Sequence, residues 1–155
     1  MEKDVLMDKM EPIGPEKPSG LFIKNLLSEL FLEKQALLSV RSSGAVAELF
    51  PGEAKTFELG ESYLTIERSD WHLHIEFSRI VAIRFKMDRS PKGRLVRAVV
   101  FEDELGAPVV RGALRTGYPP GVSDPGEIME DFRSWAKGFS GISFVVLDLF
   151  DPVSG

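Results

Sequence analysis

The chain of 155 residues has no cysteine and only two histidines. Without cysteine there are no disulfides, thiolate metal sites, iron–sulfur clusters or thiol nucleophiles, and the chain suits a reducing compartment, so the cytoplasm is the expected location. Long apolar runs are also missing, since none approaches the ~20 residues of a membrane span. The first twenty residues mix Glu2, Lys3, Asp4, Asp8, Lys9 and Glu11 with three prolines, and so lack the basic start and apolar core of a signal peptide. No glycine-rich phosphate loop is present, because Gly117-x-x-x-Gly121 is a proline loop without lysine. Serines such as Ser78 have no nucleophile-elbow context. A domain-wide basic excess is absent as well, the net charge being −5, which argues against a general nucleic-acid binder.

What charge there is falls unevenly. Residues 1–78 carry 14 acidic and 8 basic side chains, residues 79–115 carry 4 and 9, and residues 116–155 carry 6 and 2. A basic middle between acidic flanks leaves room for a localised anion site. It is equally what results when Arg79, Arg84, Lys86, Arg94 and Arg97 form the solvated faces of strands.

Residues 1–20, rich in charge and proline, cannot bury enough apolar surface to order themselves and read as a loose arm. Residues 21–155 then form one α+β domain, long enough to bury a core without staples. From Ser19, a plausible cap, Ile23, Leu26, Leu27, Leu30, Phe31, Leu37 and Leu38 recur at helical spacing and predict an amphipathic helix of about 18 residues. After Val40 the period becomes two. It predicts strands over 45–50, 55–59, 62–68, 71–77, 79–87, 94–102 and 108–115, separated by turns at Pro51-Gly52, Gly60-Glu61, Ser69-Asp70, 88–93 and 104–106. Such short connections imply a large antiparallel meander, curved or partly closed into a barrel. A second helix over 124–139 opens with Asp124 as cap, Pro125 in the first turn and Glu127 at capping-box spacing. The last strand, 142–150, is apolar at nearly every position, so burial on both faces is expected, under a helix, another strand or a second subunit.

Both histidines lie in Trp71-His-Leu-His-Ile-Glu-Phe77. With a period of two, Trp71, Leu73, Ile75 and Phe77 share one strand face while His72, His74 and Glu76 share the other, alternate side chains sitting about 6.5–7 Å apart. Two imidazoles and a carboxylate can bind zinc or iron, which admits a metal-dependent small-molecule enzyme using His72, His74 and Glu76. Equally, both histidines can be ordinary strand residues of a dimeric interaction or scaffold domain without a cofactor. Phe57, Phe77, Phe85, Phe101, Phe132 and Trp135 fall at core periodicities. A curved sheet lined with aromatics, a histidine and arginines would also hold a flat, dianionic ligand such as haem, with imidazole on iron and guanidinium on propionate.

Several segments carry a family resemblance: Ala45-Val-Ala-Glu-Leu-Phe-Pro-Gly52, Leu73-His74-Ile75, Ile80-Val-Ala-Ile-Arg-Phe85 and Ala98-Val-Val-Phe-Glu102, followed by the strand 109–114 and the helix 124–139. In this order they resemble the intracellular haem-utilisation proteins of the ChuX/HutX type and the repeats of their HemS relatives, over about residues 40–140. The resemblance implies a HemS/ChuX-like fold, haem as cofactor, a homodimer formed through the sheet, and a haem-binding or haem-trafficking role. It places the family's strand histidine on His74, as axial ligand of the haem iron, with His72 beside it. Arg84, Arg97 and Arg111 are the candidate propionate partners. The family's other histidine falls near Ser42, so this chain departs from the pattern: His74 acts alone, His72 substitutes, or the fold is kept without haem.

Overall fold

In a computed structural model, residues 16–50 and 56–150 are described. The first fifteen residues of the expected arm, the Pro51-Gly52 turn and the start of the 55–59 strand lie outside that range.

The Ser19 hydroxyl accepts the Phe22 backbone N–H at 3.0 Å and opens helix α1, Gly20–Ser28. The helix widens into a π-helical turn over Glu29–Glu33. Its apolar stripe is sealed: Ile23, Leu27, Leu30 and Phe31 are fully buried. The leucine spacing predicts a helix that includes Leu37 and Leu38, but the helix ends before them. Instead the Ala36 N–H reaches back to the Leu30 carbonyl at 3.1 Å and Gln35 takes a left-handed φ of 54°, which turns the chain into strand β1, Leu37–Arg41. Leu38 is buried from that strand. A pair of adjacent leucines fits either period, so the backbone closure around Gln35 decided the element.

Eight further strands follow: β2 Val46–Leu49, β3 Thr56–Leu59, β4 Tyr63–Glu67, β5 His72–Glu76, β6 Ala82–Arg89, β7 Leu95–Glu102, β8 Pro108–Ala113 and β9 Val145–Leu149. A short 3-10 turn, Phe77–Arg79, delays β6 relative to the expected start at Arg79. The expected single meander divides into two sheets. One has six strands in the order β2-β1-β8-β7-β6-β9, and the other has three in the order β3-β4-β5. Among the described residues neither closes into a barrel, because β2 and β9 stay at opposite edges of the larger sheet. All pairs are antiparallel except β6 with β9, which run parallel. That parallel pair follows from the crossover through helix α2, Pro125–Lys137, since a helical connection returns the chain in the same direction. Asp124 caps α2 as expected, accepting the Glu127 N–H at 3.0 Å.

Helix α2 and the π-helical turn after α1 pack on one face of the six-stranded sheet, while α1 itself lies against β3 and the 77–79 turn. Phe85 on β6 stacks on Phe139 at a centroid distance of 4.9 Å and meets Trp135 edge-on at 5.2 Å. Phe85, Phe101 and Phe132 are fully buried, while Phe57, Phe77 and Trp135 pack against the core from its margin. The Trp135 indole N–H donates to Glu29 at 3.0 Å and so ties α2 to the first helix. Gly112 on β8 permits the close approach of that helix, because a Cβ there would stand 2.5 Å from Leu30 and 2.9 Å from Phe31. The 142–150 segment is not buried on both faces. β9 is an edge strand whose Val145, Val146 and Leu147 are half-buried, packed by α2 on one side. Its single sheet neighbour and the helix satisfy its apolar character only in part.

Candidate functional site

β5 is the edge strand of the three-stranded sheet, and its alternation is realised as expected. Ile75 is buried and Leu73 packs against the core, whereas His72 and His74 are exposed. The register with β4 sets Tyr63 opposite Glu76, Thr65 opposite His74 and Glu67 opposite His72. These six residues therefore share the outer face of the small sheet. The Thr65 hydroxyl lies 2.8 Å from His74 Nδ1, and the Tyr63 ring meets the imidazole edge-on at 6.3 Å. When Nδ1–H donates to Thr65, Nε2 carries the free lone pair and points its chemistry outward. Metal-binding histidines are held in this way, one nitrogen oriented by a hydrogen bond and the other left to the metal.

The two imidazoles are 5.0 Å apart between centroids and tilted by 60°. They rise from the same side of one strand. Glu76 does not join them as a third ligand, because its carboxylate accepts the Arg79 Nε–H at 3.3 Å one turn further on. Among the described residues no group of three or more His, Cys, Asp or Glu side chains is placed to hold a metal ion.

The expected arginines lie on the other sheet and do not converge with the histidines. Arg84 and Arg111 flank Val100 across β6, β7 and β8, on the face away from the helices. Arg84 donates to Glu102 at 3.0 Å and has Asp148 at 3.8 Å; that hydrogen bond raises its pKa, opposed by burial and aided by both carboxylate charges. Arg97 points to the opposite face and is 4% exposed. Its guanidinium donates to the backbone carbonyls of Tyr118 at 2.8 Å and Arg115 at 3.0 Å, a structural role that holds the 115–118 loop. Burial lowers its pKa, partly offset by Asp131. Arg111 is half-buried, its pKa lowered by burial and by Arg41, with Glu48 opposing. Arg97 and Arg111 line a cavity of about 600 Å³ that contains no histidine. The aromatic, histidine and arginine lining of one curved surface is thus dispersed: the core aromatics face the helices, the arginines divide between two faces, and the histidines stand on the small sheet. Ser42 sits in the β1–β2 turn, its N–H donating to Ala45 at 2.9 Å.

Thr65 and Tyr63 escaped the reading of the histidine strand, although a signal for them exists. Counting outward from the two-residue Ser69-Asp70 turn, closed by the Arg68 N–H on the Trp71 carbonyl at 2.8 Å, pairs Thr65 with His74. Lys92 and Arg94 on the β6–β7 turn had no signal that would join them to Arg115 after β8, because the pairing of β7 with β8 brings these two segments together.

None of the curated proteins matches the chain. Several solved structures share its fold. A protein from Erwinia carotovora superposes with a TM-score of 0.59 at 17% identity, over 77% of this chain and 73% of its own. The heme binding protein ChuX gives 0.53 at 14% identity, over 74% and 71%. Apo-PhuS, a heme-binding protein from Pseudomonas aeruginosa, gives 0.52 at 14% identity, over 77% of this chain and 34% of PhuS, so the chain spans about a third of that protein. A family model matches residues 24–145, which is most of the chain. The chain belongs to the family whose model matches residues 24–145, and its fold is the one seen in ChuX.

Proposed function

We propose that this protein binds haem on the outer face of β5, with His74 as the axial ligand of iron, and acts as a haem carrier. The observation that carries this reading is the 2.8 Å contact between Thr65 and His74 Nδ1, which engages one nitrogen of an exposed imidazole and leaves Nε2 as the nitrogen that would hold iron. The shared fold with proteins described as heme-binding supports it. His72 does not serve as the second axial ligand in this proposal. His72 rises beside His74 from the same strand face at 5.0 Å, so the two imidazoles would not hold one iron between them. The family's other histidine falls near Ser42, so His74 would hold the group without a histidine from that position. Arg84 and Arg97 are engaged with protein partners, so propionate recognition is not assigned to them. The absence of cysteine fits work in the reducing cytoplasm, and no helix of the described residues is long and apolar enough to cross a membrane.

Hemin titration followed at the Soret band tests the proposal. A saturable band is expected, weakened about 100-fold or more by His74→Ala and less than about fivefold by His72→Ala, since loss of an iron ligand exceeds the 10- to 100-fold cost of losing a supporting group. No saturable band, or wild-type affinity in His74→Ala, would refute it. A dimeric scaffold without cofactor is the second reading, favoured by the half-buried apolar edge of β9. Light scattering that gives a dimer, with no Soret band at any hemin concentration, would establish it instead.

A further inference from the structure

The cavity of about 600 Å³ at the end of the six-stranded sheet is not used by the haem proposal. Its volume lies within the range of ligand sites, about 300–1,000 Å³. Leu37 at the start of β1, Leu95 and Val96 on β7, and Ala113 and Leu114 at the end of β8 supply apolar walls. Lys92, Arg94, Arg111 and Arg115 supply cations, and none of its lining residues is Asp or Glu.

The basic middle of the chain explains this one-sided charge. Three of the four acids in residues 79–115 are committed elsewhere. Glu102 holds Arg84 at 3.0 Å, Asp103 accepts the Leu105 and Ala107 N–H groups at 2.9 Å each, and Asp88 accepts the Arg89 N–H at 2.7 Å. Arg111 is half-buried beside Arg41, with Glu48 only partly offsetting burial and that like charge, and among the described residues it makes no ion pair. A desolvated guanidinium next to a like charge is costly, and a bound anion removes that cost. Arg115 is held at the rim by its Nε–H on the Gln35 carbonyl at 3.1 Å, and the buried Arg97 fixes the adjoining loop. One of the four cationic positions, Arg115, is therefore set by the fold before any ligand arrives.

We propose that this cavity binds a small amphipathic anion, a carboxylate or phosphate carried on an apolar body, at a site separate from His74. The apolar walls take the body, and Arg111, Arg94 and Lys92 take the charge by charge-assisted hydrogen bonds. Without a histidine the site offers no imidazole to iron. The acidic flanks of the chain oppose an extended polyanion.

Calorimetric titration of the full chain with decanoate, 1-decanol and inorganic phosphate tests the site. Decanoate is expected to bind saturably at one site per chain, with decanol and phosphate each about tenfold weaker or more. Removing both charges by Arg94→Gln with Arg111→Gln should weaken decanoate about tenfold or more; if that variant does not fold, Arg94→Gln alone, on the exposed hairpin, should weaken it several-fold. His74→Ala should bind decanoate as the wild type does, whatever it does to hemin. Absence of saturable decanoate binding, equal affinity for decanol, unchanged affinity in the charge variants, or loss of decanoate in His74→Ala would overturn the proposal. So would displacement of decanoate by a short oligonucleotide.

Discussion

The six-stranded and three-stranded sheets treat their polar side chains differently. On the larger sheet, Arg84 is paired with Glu102 and lies near Asp148, and Arg97 is spent on two backbone carbonyls. On the smaller one, the exposed His72, His74 and Tyr63 contact one another ring to ring, and Thr65 meets His74 Nδ1. The inner faces are alike, since Leu64, Ile66 and Ile75 are as sealed as Ile83, Phe85 and Phe101. What separates the two is the outer face. Arg84 and Arg97 of the large sheet are absorbed into holding strands and loops, whereas the histidines of the small sheet retain unspent donor and acceptor capacity, which binding requires.

The contrast is broken most forcefully from the inside. Phe85→Ala removes a fully buried ring that contacts Phe132, Trp135 and Phe139, and should cost about 3–5 kcal/mol by urea denaturation. Gly112→Val should cost about 1–3 kcal/mol, because the added Cβ falls 2.5 Å from Leu30 and the first helix must shift outward. If either left stability unchanged, the large sheet would not be the seat of stability. On the small sheet the order reverses. Thr65→Val should weaken hemin binding about tenfold through the lost support of His74, with a melting temperature within a few degrees of wild type. A large fall in stability with unaltered hemin affinity would erase the distinction. The smallest effect is expected from Arg84→Met, which should cost about 1 kcal/mol or less because the pair with Glu102 is partly solvated, and should leave the Soret titration unchanged.

The strand content was legible because alternation survives wherever one face is buried. Trp71–Phe77 and 79–87 both became strands near their expected bounds, with Leu73, Ile75, Ile83, Phe85 and Met87 turned inward. The assignment of strands to sheets was not. The sequence changes period only after Val40, yet β1 begins at Leu37 and pairs with β8, 70 or more residues away, through Leu37–Ala113 and Leu38–Gly112. No local pattern encodes such a partner. The candidate site shows the same division. Position 74 was legible from alternation and from the family pattern, and the Ser69-Asp70 turn contained the Thr65 partnership for a reader who counted from it. The arginines were not separable, since Arg84, Arg97 and Arg111 look alike in sequence and differ only in the face and neighbours that packing assigns them.

By itself the sequence determined which residues seek the interior, where the helices are capped and that iron chemistry by a side-chain nitrogen has only two places to occur, because these depend on residue type and near-neighbour spacing. Tertiary structure alone decided that the strands form two sheets, that Arg97 is a buried brace while Arg111 makes no ion pair among the described residues, and that the arginines lie apart from the histidines. Those outcomes depend on distances between residues far apart in the chain, and hydrogen bonding and charge act through such distances whatever the separation in sequence.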